Sequence, residues 1–143
     1  MTNIQEVQRE IVNEFTLFDD WMERYNYLIE LSKDLPVIDA KYKKNDYLIR
    51  GCQSKVWLNA EYKDHKIILT ADSDAIITKG IIALLIRVLS NRTPQEIINA
   101  DLKFIDEIGL KQNLSPTRAN GLLSMIKQIK LYAIAYDAKE KKN

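Results

Sequence analysis

One cysteine stands in this chain of 143 residues, so no internal disulfide can form and no multi-cysteine metal cluster can be built. Glycine and proline are scarce, at four and three, and each one therefore marks a definite turn, cap or close contact. No low-complexity tract, internal repeat or linker interrupts the chain. Neither sign of charge dominates: 21 lysines and arginines face 20 aspartates and glutamates. That removes the basic footprint of a nucleic-acid binder or a polybasic membrane binder. The longest apolar stretch, Ile81 to Ile86, stops at Arg87, far short of the roughly 20 residues a membrane span needs. The opening MTNIQEVQRE is polar and of mixed charge, unlike a signal peptide. Without such a signal, the N-x-S/T triplets at Asn91 and Asn113 read as coincidences.

What is present is enough for a core: 46% of residues are hydrophobic and 29% charged, which argues for a globular chain rather than a disordered one. The expectation is a soluble, cytoplasmic protein of one domain over 1–143, with 1–3 and 139–143 as frayed tails. A reducing compartment would keep its thiol free.

Ile4, Val7, Ile11 and Phe15 recur at helical spacing over 4–17. Asp20 and Glu23 have the spacing of a capping box and start a second helix, about 20–33, which Pro36 follows. Lys41 to Asp46 is polar and reads as a loop. The period then changes to two: Val56, Leu58, Ala60 and Tyr62 alternate with Trp57, Asn59, Glu61 and Lys63. A polar turn over Lys63–Lys66 and a β-rich run from Ile67 to Ala71 complete an antiparallel hairpin. Tyr47 to Arg50 offers a third strand beside it. An apolar-rich helix follows over 75–90, containing Gly80, a residue that costs about 1 kcal/mol against alanine and suggests close packing. Thr93-Pro94-Gln95-Glu96 starts a short helix, another falls near 101–109, and Ser115-Pro116 opens the last, 116–138. Helices flanking a small antiparallel sheet of about three strands give an α+β fold.

Cys52 lies in Gly51-Cys52-Gln53-Ser54, which reads as a loop tip between strands. Two readings stand: an inert buried thiol, and a reactive one helped toward thiolate by Arg50 and Lys55 close in sequence. A disulfide-exchange or peroxidatic site wants a resolving thiol, and there is none. A cysteine hydrolase wants a base, and the single histidine, His65, falls on the hairpin turn, where it reads as a solvated side chain. A one-thiol carrier needs only accessibility and a docking surface. Its thiolate attacks the outer sulfur of a donor persulfide and later yields that sulfur to another thiol. Asp72 and Asp74 flank Ser73 just before a helix. Asp74 suits a helix cap, and both carboxylates also suit a partner-docking surface. Trp57 either shields the thiol or packs on the helices; packing is the simpler reading.

Gly51-Cys52-Gln53-Ser54-Lys55-Val56-Trp57 is similar to the GCQSxVW element of the SufE family of sulfur-acceptor proteins. Trp21-Met22-Glu23-Arg24-Tyr25, Ala71-Asp72-Ser73-Asp74-Ala75 with Lys79-Gly80, Thr93-Pro94, and Leu114-Ser115-Pro116-Thr117-Arg118 with Gly121-Leu122 follow the family's order. The resemblance runs from Phe15 almost to the C-terminus. It implies that Cys52 is the persulfide acceptor for a SufS-type cysteine desulfurase, a pyridoxal-phosphate enzyme that this chain stimulates. The sulfur would pass to a SufB-containing scaffold for iron–sulfur cluster assembly. The pyridoxal phosphate then belongs to the partner, and no cofactor or metal is expected here. The chain is a carrier and activator rather than an enzyme in its own right. A related acceptor for another desulfurase, or an allosteric activator that carries no sulfur, are the alternatives. The implied fold is the α+β fold shared with IscU-type scaffolds, as monomer or homodimer. Gly51 and Gln53 would form the loop around the thiol. Arg118, at the family's SPxR position, either supports that loop or the partner, or makes an ordinary surface ion pair. Thr117 and Asn120 are small departures from the pattern.

Overall fold

The computed structural model describes residues 3–142. Asn3 caps the first helix, α1 (Ile4–Phe15), by accepting the Glu6 N–H at 2.8 Å. Asp20 does the same for α2 (Trp21–Ser32), accepting from Glu23 at 2.9 Å. Such caps satisfy N–H groups that the helix itself leaves unpaired. Strands β1 (Val56–Lys63) and β2 (Lys66–Ser73) pair antiparallel, with Val56 opposite Ser73 and Lys63 opposite Lys66. The two residues between them, Asp64 and His65, have φ of 53° and 64°, the twist that suits a two-residue hairpin turn. The alternation legible in the sequence points Leu58, Ala60, Leu69 and Ala71 into the core.

The sheet has two strands rather than three. Leu48 makes one antiparallel bridge to Trp57, and the Ile49 N–H donates to Val56 at 2.8 Å. A 3-10 turn over Asn45–Tyr47 on one side and Gly51, with φ of +93°, on the other leave room for no more. Another 3-10 turn, Ala40–Tyr42, shapes the segment expected to be a plain loop. On the opposite edge Val37 bridges Ala71 in parallel.

Helix α3 (Ile76–Leu89) is buried around most of its circumference, from Gly80 through Ile86 without a break. It lies against α2 so closely that a Cβ on Gly80 would sit 2.3 Å from the Leu28 carbonyl oxygen. Helix α4 (Pro94–Ile98) carries the full capping box expected at Thr93 and Glu96. Helix α5 is only Phe104–Glu107, shorter than 101–109. The preceding backbone is satisfied from α1 instead: buried Gln8 donates to the Asp101 carbonyl and accepts from the Phe104 N–H, both at 3.1 Å. Ser115 caps α6 (Pro116–Lys141), which runs past 138, so residues 139–141 of the expected tail are helical. The tail positions 1, 2 and 143 lie outside the described residues. The Lys130 ammonium closes the end of α4 by donating to the carbonyls of Ile97, Ile98 and Ala100 at 2.9–3.1 Å. Among the described residues, no helix is long and apolar enough to cross a membrane.

One ion pair ties three helices. Arg87 of α3 grips Glu14 of α1 with both guanidinium NH2 groups, and the Tyr27 hydroxyl of α2 donates to the same carboxylate. Arg87 holds the Glu14 carboxyl below the usual carboxylate range, and burial with Glu14 pushes Tyr27 up to about 12. A lowered carboxyl pKa contributes stability that is present above its unfolded value, about 4.3, and lost as pH falls through the folded value. Glu14→Gln should cost about 1–2 kcal/mol at pH 7. Urea melts at pH 7 and pH 3 should show the difference between variant and parent shrinking at the acid end.

Candidate functional site

Gly51 turns the chain out of the Leu48–Trp57 bridge with a φ open to few residues but glycine. The turn sends Cys52 back over α6 rather than away from it. The thiol sits over Gly121 of α6, 3.6 Å from its carbonyl oxygen. A Cβ on Gly121 would lie 3.4 Å from Sγ, at the near limit of van der Waals contact, so the sulfur rests directly against the backbone of α6. A Cβ on Gly51 would lie 2.3 Å from the Ser124 hydroxyl, so the loop is pressed onto α6 at Gly51 as well as at the cysteine.

Beside the thiol lies a cavity of about 310 Å³. Gln53 and Ser54 line it from the loop, Thr78 and Ile81 from α3, and Ser115, Thr117, Arg118, Gly121 and Met125 from the start of α6. The site is therefore built where the N-terminal halves of two helices meet the cysteine loop. Cys52 is half-buried, and that burial pushes its thiol up from the ordinary range. Of the two readings the sequence left open, this sets aside the one in which Arg50 and Lys55, neighbours in the chain, help the thiol toward thiolate. Both are exposed, and the groups that surround the sulfur in space are Gly121 and the cavity wall. Desolvation of the charged form wins.

Gln53 and Arg118 are thus brought to the thiol's cavity, and Arg118 makes no ion pair with another described residue, contrary to the surface-salt-bridge reading. The aspartates behave differently. Asp74 is not the cap of α3; that position is Ala75, which has no side-chain cap. The Asp74 carboxylate instead accepts the Lys55 N–H at 3.0 Å, and Ser73 accepts the Ala75 N–H at 3.2 Å. Asp74 thereby tethers the end of the cysteine loop to the end of β2. Asp72 pairs with Lys43 at 3.0 Å and Lys79 at 3.4 Å. Burial opposes its ionisation, but Lys43, the Ser73 N–H and Lys79 outweigh burial and hold the carboxyl below its usual range. Lys43 also lies over the Trp57 ring, 4.8 Å from its centroid.

His65 is 81% exposed and bonded to Glu140 at 3.0 Å. It stands at the far end of β1 from the cysteine loop, eight residues away. At about 3.3 Å per residue that is about 25 Å, too far for a base. Among the described residues no group of three His, Cys, Asp or Glu side chains converges to hold a metal. Thr78 and Met125 are the wall residues that the sequence left unmarked. Their only signal was position on apolar helices, which reads equally well as core.

The sequence model of SufE, described as an Fe–S metabolism associated domain, matches residues 9–133. An uncharacterised SufE-like protein of Rhizobium meliloti is 36% identical over 126 residues, covering 85% of this chain and 90% of that protein. SufE-like protein 1 of Arabidopsis thaliana, chloroplastic/mitochondrial, is 36% identical over 132 residues, covering 92% of this chain and 36% of its own longer one. The solution structure of a hypothetical protein from Thermus thermophilus superposes with a TM-score of 0.74 over 90% of this chain and 94% of that one. At 18% identity that likeness is one of fold. The matched span includes the cysteine loop and the start of α6, and the chain belongs to the SufE family.

Proposed function

We propose that this protein carries sulfur on Cys52. The thiolate attacks the outer sulfur of a persulfide on a SufS-type cysteine desulfurase. The donor's S–S bond breaks, the donor cysteine leaves as a thiolate, and a new S–S bond forms at Cys52. No net oxidation occurs, and the Cys52 proton passes to solvent while the donor thiolate is free to take one up. The sulfur is then handed to a SufB-containing scaffold for cluster assembly, and removal of its product sulfur stimulates the desulfurase. The observation that carries this reading is the seating of the chain's one thiol beside a cavity, on a loop that Gly51 turns onto α6. Seated there, the thiol stays protonated and quiet. Moved outward by the partner, it regains the acidity of an exposed cysteine and can react.

Intact-mass spectrometry tests it, after incubation with a SufS-type desulfurase, its pyridoxal phosphate and free cysteine, without reductant. The chain should gain the mass of one or more sulfur atoms. The gain should vanish in Cys52→Ser and on treatment with a thiol reductant, while the variant keeps the parent's circular dichroism. Undiminished stimulation by Cys52→Ser would instead assign an activator that carries no sulfur.

A further inference from the structure

Thr78 is 6% exposed and lines the Cys52 cavity, yet its hydroxyl has no hydrogen-bond partner among the described residues. That hydroxyl is not sealed in the core, so it is open to a group that enters the cavity. Many helical threonines bond back to the carbonyl of the preceding turn; this one does not. Arg118, also without an ion pair among the described residues, lines the same cavity. The amino end of the 26-residue helix α6, from Thr117 on, contributes the adjoining wall.

The cavity thus offers a free hydroxyl, a cation and the positive end of a long helix beside a sulfur atom that has a proton to lose. An outer sulfur bonded to Cys52 would lie about 2.05 Å from Sγ, within the space beside it. A persulfide is a stronger acid than its thiol, so that sulfur is anionic at neutral pH. A buried anion is tolerated only when donors meet it. We propose that Thr78 is a positioning residue, donating its hydroxyl proton to the outer sulfur of an inward-facing Cys52 persulfide and holding it from attack until a partner draws the loop out. This rests on the reading of Cys52 as a sulfur carrier.

The test separates the two claims. The chain is loaded with inorganic polysulfide, in which Cys52 thiolate takes one sulfur and leaves a polysulfide shorter by one. Loading is measured by intact mass. Cyanide is then added: it bonds the outer sulfur, breaks the S–S bond and leaves as thiocyanate, restoring the thiolate. Thr78→Val, which keeps the β-branched shape, should load like the parent but undergo cyanolysis about tenfold faster, the loss of one hydrogen bond to a charged group. Thr78→Ser should restore the slow rate. The Val variant should also melt no lower than the parent, since it removes no hydrogen bond within the protein. A merely structural threonine would give the opposite: a lower melting point and an unchanged rate. Equal cyanolysis rates in parent and Val variant, both loaded, would overturn the role of Thr78 alone. Failure of the parent to load from polysulfide and from a desulfurase alike would overturn the carrier reading and this inference with it.

Discussion

Gly80→Ala should destabilise the protein by about 3 kcal/mol, although alanine is the better helix former. On an exposed helix the substitution would gain about 1 kcal/mol. Here the added Cβ would meet the Leu28 carbonyl oxygen at 2.3 Å and its carbon at 2.9 Å. Both are backbone atoms, which cannot swing aside as a side chain would. Relief requires α2 and α3 to separate. Leu28 and Ile81, each within the tightly packed interior, would then lose contacts on both sides of the gap. Urea denaturation should show a lower midpoint with an unchanged slope. A variant as stable as the parent would mean that the spacing of α2 and α3 is not set at this contact.

Gly51→Ala acts on function instead. Its φ of +93° strains any residue with a Cβ, and that Cβ would overlap the Ser124 hydroxyl at 2.3 Å. Serine can rotate, but the backbone strain stays. Gly51 is exposed and the core clusters elsewhere, so the loss of global stability should be about 1–2 kcal/mol. The cheapest escape is for the loop to leave α6 and carry Cys52 into water. Burial then ceases to raise the thiol pKa, which falls back toward about 8.5. Alkylation of Cys52 by iodoacetamide at pH 7 should be about tenfold faster than in the parent, with its pH midpoint lowered toward that of free cysteine. If the variant alkylates no faster, the glycine conformation does not hold the thiol in its seat.

These two glycines show what was legible beforehand. Gly80 stood in an apolar run, and close packing could be read there because glycine is costly in a helix. The identity of its neighbour, the Leu28 carbonyl, could not. Signals that are local in the chain survived: the caps at Asp20, Thr93 and Ser115, the period-two run of β1, the turn at Asp64 and His65. Expectations that depended on distant partners did not. The Tyr47–Arg50 strand shrank to one bridge, and α5 shortened because Gln8, roughly ninety residues earlier, satisfies its approach. Asp74 had the sequence of a cap, but Lys55 offered its N–H first. The thiol itself was found from its loop and its family motif. Its acidity stayed open in the sequence, because Arg50 and Lys55 are near in the chain whereas the walls facing the loop come from residues 78–125.

The composition of those walls also sets a timetable. A chain emerges from the ribosome N-terminus first, at about 5–20 residues per second. The hairpin and α3 are complete before any of α6 exists, so Cys52 is made long before Gly121 and Met125, the floor it rests on. For several seconds of each synthesis, the nascent protein presents its one thiol uncovered, with an ordinary acidity and no shelter from oxidants. Birth is thus the interval in which this cysteine is most open to damage, and the last helix to arrive is the one that ends it.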